Sequence, residues 1–344
     1  MLRSIRSKMT CAALATTAVV AAVWMAAVPS PASAVIVARP VTSTELREYG
    51  GMIVFSEFDA SQMRFRLVVR KVGADPQRVN VPMSRSPFGA DIGTDSRGRP
   101  QLVYARCGAR GCQPFAYSLA DATGERPVRT VGVIPGFGRV SLWRGRIAWT
   151  QDRGLGPVVY TKLLTAPRSQ PATRLPGVPQ HRCADGERVC PPTGGGTIED
   201  LELWGTNLAL IVRYGCPSCT APARAEVRLD DVSDRSARKI AQLSLGPAGE
   251  RLAGPSFFDG RLAWYQGCFA SEPGCRSEAG PWRYRLSTRT YERGSPGPLQ
   301  VEDFADTGTR HYVFLCSSET QGTELNTGCR IEENTPPAYT SARP

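Results

Sequence analysis

One short apolar motif recurs six times in this 344-residue chain, and it constrains the fold more than any other feature. Each copy is a run of three residues, usually ending in an aromatic residue. Measured at the third residue, the intervals between copies are 49, 45, 61, 54 and 50 residues. Fully apolar triplets of this kind are typical of strands buried on both faces. The six triplets are 53–55, 102–104, 147–149, 208–210, 262–264 and 312–314.

The sequence around the triplets indicates hairpins. Glycine-containing turns precede several copies, as in Arg144-Gly145-Arg146 and Asp259-Gly260-Arg261. Glycine adopts positive φ without steric cost, which a tight hairpin requires. A short strand lies upstream of these turns, another apolar strand follows each of the first five triplets, and a weaker fourth strand can be drawn in most units. Four strands in a unit of about 50 residues are typical of a β-propeller blade.

We therefore predict an all-β fold, a six-bladed β-propeller of four-stranded antiparallel blades, formed as one domain by residues 35–344. Two alternatives stay open, a seventh degenerate blade and a pair of β-sandwich domains. The last unit lacks a fourth strand, because its tail contains Pro336 and Pro337, and prolines cannot donate to a central ladder. We predict that the segment 35–38 completes this blade and covers its open edge.

Two copies of the repeat carry a family resemblance. Phe258-Asp259-Gly260-Arg261-Leu262-Ala263-Trp264 and Trp143-Arg144-Gly145-Arg146-Ile147-Ala148-Trp149 resemble the WD40-like repeat of TolB-type propellers, and residues 95–104 form a looser copy. The resemblance implies a six-bladed propeller and contact with other proteins. It transfers no catalytic or binding residue.

The N-terminus has the pattern of an export signal. Three basic residues precede an apolar stretch from Cys11 to Val28, and Ala32-Ser33-Ala34 fits a small-x-small cleavage site. We predict a signal peptide over 1–34 and a secreted or cell-envelope protein without a stable membrane span after cleavage. The alternative is an uncleaved anchor, because 18 apolar residues lie at the lower edge of spanning length.

The cysteines agree with export. Of 11 cysteines, ten follow the predicted signal. An even number of cysteines in an exported chain favours disulfides. In four couples the first cysteine closely follows a triplet, so a disulfide would bracket the loop after the same strand. The fifth couple lies in a predicted insertion over 178–196. The couples are Cys107/Cys112, Cys183/Cys190, Cys216/Cys219, Cys268/Cys275 and Cys316/Cys329.

One couple has a spacing that also suits other chemistry. Cys216-Pro217-Ser218-Cys219 is a C-x-x-C sequence, which occurs in redox sites and zinc sites. A redox site needs a helix after the first cysteine, and zinc needs two further ligands, whereas the flanks here predict strands. We favour a structural disulfide and keep the redox and metal alternatives.

The charge pattern argues against a nucleic-acid partner. The chain has 42 Lys+Arg and 31 Asp+Glu, a net charge of +11. No block of five or more like charges occurs, and such blocks mark many polyanion-binding segments. We expect dispersed surface arginines, a monomer and no cofactor.

Motifs for catalysis are scarce. The chain has two histidines, His181 and His311, and lacks a G-x-S-x-G elbow and an H-E-x-x-H sequence. Carboxylates near the predicted innermost strands of units two, four and six could line the channel mouth and serve as acid and base. The alternative is that they are turn and edge residues. These candidates are Asp91, Asp95, Glu199, Asp200, Glu202, Glu302, Asp303 and Asp306.

The sequence thus predicts a binding or scaffold module for a protein or an envelope polymer. The alternative is a carbohydrate-active hydrolase or lyase that uses the channel-mouth carboxylates. Fold alone does not decide between them.

Overall fold

The computed structural model describes eleven segments of the chain. They are residues 34–40, 44–121, 124–129, 131–152, 156–175, 196–214, 223–245, 250–268, 279–298, 301–316 and 328–343. Three predicted features lie outside these segments: residues 1–33 of the predicted signal over 1–34, nearly all of the predicted insertion over 178–196, and five of the paired cysteines. Within them, no helix has the length and apolar character needed to cross a membrane.

The described residues form six antiparallel sheets, arranged as the blades of the predicted propeller. Blade 1 consists of β2 Arg47–Tyr49, β3 Met52–Asp59, β4 Arg64–Lys71 and β5 Gln77–Arg78. Blade 2 consists of β6 Ala90–Thr94, β7 Pro100–Gly108, β8 Gly111–Ser118 and β9 Glu125–Pro127. Blade 3 consists of β10 Phe137–Trp143, β11 Arg146–Asp152, β12 Pro157–Leu163 and β13 Thr173–Arg174.

The second half of the ring repeats this order. Blade 4 consists of β14 Gly196–Trp204, β15 Asn207–Tyr214, β16 Arg224–Asp231 and β17 Ala237–Ser244. Blade 5 consists of β18 Arg251–Phe258, β19 Arg261–Gly267, β20 Gly280–Arg285, β21 Thr290–Gly294 and the C-terminal β25 Tyr339–Ala342. Blade 6 consists of β22 Val301–Asp306, β23 His311–Leu315, β24 Arg330–Asn334 and the N-terminal β1 Val35–Ala38. The prediction of six blades is confirmed.

The N-terminal strand closes the ring, as predicted. Strand β1 pairs antiparallel with β24, with Val35 opposite Glu333 and Ile36 opposite Glu332. Without this strand, blade 6 would expose the free edge of β24 to solvent. Closure by the N-terminus therefore covers an unpaired edge and joins the two ends of the propeller.

The C-terminal tail departs from the four-stranded pattern. It leaves blade 6 and adds a fifth strand to blade 5, with Tyr339 opposite Gly294 and Ala342 opposite Tyr291. The sequence pattern did not predict a strand in this tail. Its pairing partner lies about 50 residues upstream, so the local sequence carries little sign of it.

The apolar triplets hold neighbouring blades together. Six hydrophobic clusters of the described residues each lie between two adjacent blades. In blade 1, Ile53 and Phe55 face blade 6, whereas Val54 faces blade 2. This alternation explains why all three positions are apolar, because both faces of the strand are buried. In blades 2 to 5 the two outer residues of each triplet likewise face the preceding blade, and the middle residue faces the next one. In blade 6 the two outer residues face blade 1, and the middle residue faces blade 5.

The glycine turns have the backbone geometry that the sequence indicated. Arg144 and Gly145 have φ of 43° and 74°, and Asp259 and Gly260 have φ of 41° and 68°. Positive φ at both central residues is the signature of a type I′ hairpin, whose twist matches that of the flanking strands. These turns lead directly from the first strand of a blade into its triplet.

Candidate functional site

The first strand of each blade lies next to the central axis. Strands β2, β6, β10, β14, β18 and β22 contact one another in order around the ring, and β22 returns to β2. The channel that they surround has two ends. We call the end at which most of these strands begin the mouth, and the end with the type I′ turns the hairpin end.

Arg47 lies across this channel. It belongs to β2 of blade 1, is only 2% exposed, and donates from Nη1 to Asp200 Oδ2 of blade 4 at 3.0 Å. Its Nη2 donates to the second oxygen of Asp200, and Nη1 lies 3.6 Å from Asp303 Oδ2 of blade 6. Blades 1 and 4 face each other in a ring of six. The guanidinium group therefore spans the axis and separates the mouth from the hairpin end.

Two of the predicted carboxylates tie adjacent blades together. Asp91 Oδ1 accepts from its neighbour Ile92 N at 2.7 Å, and Oδ2 accepts from Leu142 N of blade 3 at 2.6 Å. Asp303 makes the same pair of contacts, with Phe304 N at 2.8 Å and Leu46 N of blade 1 at 2.7 Å. A carboxylate that accepts two backbone N–H groups is strongly held in place. Asp91 therefore joins blade 2 to blade 3, and Asp303 joins blade 6 to blade 1.

Glu202 differs from these tied aspartates. It is 8% exposed and has no hydrogen-bond partner among the described residues. Its charge interacts with Arg47, Asp91, Asp200 and Glu48, so it belongs to the group of side chains around the axis. Burial and the repulsion of these carboxylates raise its pKa well above the ordinary value for glutamate.

Other acids along the axis shift in the same direction. Burial raises the pKa of Asp91 to about 6, even though Arg47 opposes the shift. Burial raises the pKa of Glu48 to about 8, with a smaller contribution from Asp306 and Asp91. Burial and the neighbouring Asp200 raise the pKa of Asp303. One central guanidinium group is therefore not enough to neutralise the carboxylates that surround it.

The mouth contains a polar cavity of about 460 Å³. Arg139 and Glu45 pair across it, and Arg251 Nη1 donates to Glu302 Oε2 at 2.7 Å. Asp200 and Asp303 form its inner wall. A second cavity of about 560 Å³ extends from Glu45 and Arg139 over blades 2 and 3, so the accessible surface continues away from the axis.

The remaining predicted carboxylates lie in different places. Glu199 borders the mouth and lies 3.5 Å from the Arg213 guanidinium. Glu302 also borders it. Asp95 lies in the turn between β6 and β7, where its Oδ1 accepts from Arg97 N at 2.8 Å and Arg99 N at 2.9 Å. The structure thus brings Glu199, Asp200, Glu302 and Asp303 to one cavity and leaves Asp95 in a surface turn.

Asp306 lies at the hairpin end in a second buried network. Arg283 contacts both of its oxygens, at 2.9 and 3.0 Å, and His311 Nε2 lies 3.1 Å from Oδ2. The hydroxyl of Tyr339, from β25, lies 3.0 Å from the same His311 nitrogen. Burial alone would raise the pKa of Asp306, but His311 and Arg283 hold it below its ordinary value. His311 is accordingly part of a clasp between the C-terminal strand and blade 6.

Aromatic side chains also gather at the hairpin end. Trp143 contacts Tyr49 with ring centroids 5.7 Å apart and Trp204 at 5.5 Å, and Trp204 stacks on Phe257 at 6.0 Å. These rings come from blades 1, 3, 4 and 5. The two ends of the channel therefore differ in chemistry, with charged pairs at the mouth and aromatic rings opposite.

Two predicted disulfides are present in the described residues. Cys107 bonds to Cys112, and Cys316 bonds to Cys329, each bridging neighbouring strands of one blade. Cys268 is also disulfide-bonded. Cys183, Cys190, Cys216, Cys219 and Cys275 lie outside the described residues. His181 also lies outside them.

Three arginines and two acids of the site were not predicted from the sequence. They are Arg47, Arg139, Arg251, Glu45 and Glu48. One signal was available, because the charged run Glu45-Leu46-Arg47-Glu48 lies shortly before the Gly50-Gly51 turn and the first triplet. That position corresponds to the innermost strand of blade 1, where a charge needs a partner from another blade.

No protein-family model matches the sequence. No curated protein matches it either. Among solved structures, the chain is similar to TolB from Acinetobacter baumannii, with 12% identity, a TM-score of 0.49, and coverage of 85% of this chain and 65% of that one. It is similar to the tricorn protease, with 9% identity, a TM-score of 0.49, and coverage of 91% and 31%. It is also similar to an α-L-arabinanase from Penicillium chrysogenum, with 9% identity, a TM-score of 0.49, and coverage of 91% and 99%.

The chain spans less than two thirds of the length of the TolB and tricorn protease structures. Similarity at this level concerns the fold, and the function has to be argued from the channel itself.

Proposed function

We propose that the chain is an exported propeller that acts as a binding or scaffold module, with the channel mouth as its binding surface. One observation carries this proposal. The innermost carboxylates of the mouth are engaged in holding the ring together, Asp303 with backbone N–H groups and Asp200 with Arg47. A carboxylate held in this way is poorly placed to exchange protons with a substrate.

The surface around these acids suits recognition. A cavity of about 460 Å³ is bordered by the pairs Arg139–Glu45 and Arg251–Glu302, whose charged groups can exchange partners with a ligand. The adjoining cavity extends this surface over blades 2 and 3. Ion pairs at the rim of an interface contribute specificity and association rate. Export is supported by the disulfides, which persist in oxidising compartments.

The test is affinity capture with a charge-reversed mouth. The full chain, tagged after Pro344, is used to capture proteins and polysaccharides from the cell envelope and culture medium of its source. The test variant carries Arg139→Glu and Arg251→Glu. The matched control carries Arg66→Glu and Arg285→Glu, which are also paired with carboxylates but lie away from the mouth.

We expect the wild type and the control to recover the same component, and the mouth variant to lose it. Recovery that is unaffected by the mouth variant would contradict the proposed surface. Turnover of a captured polysaccharide, abolished by Asp303→Asn, would instead favour the carbohydrate-active enzyme.

A further inference from the structure

Blade 5 differs from the other blades because a strand from outside it is added to its edge. Among the described residues it is the one sheet with five strands, and its fifth strand, β25, follows blade 6 in the chain. The connecting residues 335–338 belong to no strand, and two of them are prolines. We call residues 335–342 the C-terminal segment, and the edge of blade 5 that receives it the acceptor.

The acceptor holds the C-terminal segment through side chains as well as through backbone pairing. Arg283 Cζ lies 3.8 Å from the Tyr339 ring centroid, and the Tyr339 hydroxyl lies 3.0 Å from His311 Nε2. Gly294 lies against Pro337, so that a Cβ atom at position 294 would come within 2.6 Å of Pro337 Cγ. In an added strand, main-chain pairing supplies affinity and side-chain contacts supply specificity. The acceptor therefore recognises a proline that is followed two residues later by a tyrosine.

Little of the C-terminal segment is built into the core. In β25, the two end residues Tyr339 and Ala342 are half-buried, and the two residues between them are exposed. None of the residues 335–342 is fully buried. Segments with few buried contacts are the ones that open most readily in a folded protein.

We propose that the acceptor is an interaction site for a second copy of this chain, whose C-terminal segment takes the place of the resident one. An empty acceptor leaves the edge of β21 unpaired, and an unpaired edge is a template for a strand from another chain. A second copy carries the same proline and tyrosine, so its contacts with the acceptor match those of the resident segment. Exchange between two copies is reciprocal and leaves both acceptors filled.

Concentration decides between the resident segment and a second copy, because both make the same contacts. A short linker gives the resident segment an effective concentration in the millimolar range. We therefore expect a monomer in dilute solution and an exchanged dimer when the chain reaches about 1 mM. This interaction is separate from the channel mouth, since Arg283, Gly294 and His311 border neither cavity there.

The acceptor is tested with a peptide. A full-chain triple variant, Tyr339→Ala with Thr340→Pro and Ser341→Pro, keeps the acceptor but loses the strand that fills it, because proline cannot donate to a ladder. The probe is a fluorescein-labelled peptide with the sequence of residues 335–344, followed by fluorescence anisotropy. We expect saturable binding to the triple variant, and at least tenfold weaker binding to the wild type, whose own segment competes.

Two altered peptides test the recognition itself. A peptide with Tyr339→Ala should bind the triple variant at least tenfold more weakly, because it lacks the ring beside Arg283 and the hydroxyl beside His311. A peptide with Arg343→Ala is the matched control. Arg343 is exposed and lies outside β25, so this change should leave the affinity within twofold.

The second copy is tested with the wild type alone. Unlabelled and ¹⁵N-labelled chains are incubated together at about 1 mM, diluted, and measured at once by native mass spectrometry. We expect dimers of mixed mass, in an amount that rises with the concentration during incubation. The triple variant should form none, and the full chain with Arg343→Ala should form as many as the wild type.

Three results would overturn the inference. They are failure of the peptide to bind the folded triple variant, equal binding of the Tyr339→Ala peptide, and absence of mixed dimers from the wild type. Circular dichroism shows whether the triple variant is folded, and if it is not, the mixed-dimer measurement decides alone. Peptide binding without mixed dimers would replace the second copy with a strand from a different protein.

Discussion

Arg47 at the channel axis and Arg283 near the hairpin end are surrounded by different numbers of acids. Arg47 at the axis meets Asp200, Asp303, Glu45 and Glu202, several acids for one base. Within the described part of the chain, Arg283 at the hairpin end forms an ion pair with one carboxylate, that of Asp306, and lies 3.8 Å from the ring centroid of Tyr339.

The acids respond in opposite directions to these two arginines. Around Arg47, burial and acid repulsion raise the pKa values of Glu202 and Asp303. Beside Arg283, the pKa of Asp306 is lowered. Burial penalises a charge in both places, and the number of opposite charges decides which effect wins. The site around Arg283 therefore suits a structural clasp, whereas the cluster around Arg47 holds more acids than bases.

The largest expected effect is at Arg47. Replacing it in Arg47→Met removes the base from a buried acidic cluster, and should lower the free energy of unfolding by about 3–5 kcal/mol at pH 8. Part of this loss should be recovered at pH 5, because the acids can take up protons. Urea unfolding at both pH values measures the difference. An equal loss at both values would mean that the cluster is not acid-rich.

The Arg283–Asp306 pair should be nearly as sensitive to substitution, and its contribution to stability should change with pH in the opposite direction. Asp306→Asn leaves Arg283 buried without its carboxylate, and should cost about 3 kcal/mol near pH 7. A depressed pKa contributes stability above the unfolded value of 3.8, and this contribution is lost as the pH falls. The variant should therefore lose less stability than the wild type between pH 6 and pH 3, as followed by thermal melting. A steeper acid loss in the variant would contradict this assignment.

Glu48 tests the acid-rich cluster around Arg47 with a smaller expected change in stability. Its pKa is raised from 4.5 to about 8, so its contribution to stability is present at low pH and is lost as the pH rises between these values. Glu48→Gln keeps an oxygen for the backbone N–H of Gly51 but cannot ionise. We expect a gain of about 1–2 kcal/mol at pH 9 and little change at pH 4.5. Denaturant midpoints measured between pH 4.5 and pH 9 test this expectation, and Glu57→Gln is the surface control.

The smallest effect is expected at the C-terminal strand. Tyr339→Phe removes the hydroxyl that contacts His311 but keeps the ring beside Arg283. The loss of one partly buried hydrogen bond should cost about 1 kcal/mol. Differential scanning calorimetry would detect this as a small drop in Tm. Tyr49→Phe offers a comparison at a tyrosine in blade 1, and an equal effect there would remove the special role of the clasp.

The six-bladed ring could be predicted from the repeat, because a strand that is buried on both faces has apolar residues at consecutive positions. A triplet such as Ile53-Val54-Phe55 is apolar at every position, since each side chain meets one of two neighbouring blades. Closure by β1 followed from the missing strand of the last unit. Strand β25 left no such trace, because the segment Tyr339–Ala342, half-buried only at its two ends, acquires its partner through the fold.

The candidate site was less predictable. Asp91 and Asp95 are four residues apart and identical in type, yet one is buried at the axis and the other holds a surface turn. Arg47 drew no attention because its partner Asp200 is 153 residues away. Side-chain type and local pattern do not contain this information.

The sequence by itself determined the blade count, the buried strands and the closing N-terminal strand, because each depends on hydrophobic pattern and on the need to cover strand edges. Only the tertiary structure decided which charges meet. The ionisation of Asp91, Glu202 and Asp303 depends on burial and on Arg47 of blade 1, and that of Glu48 depends on burial and on Asp306 and Asp91 of other blades. Electrostatic energy in a buried channel is set by distance through space and by burial, and neither can be read from position along the chain.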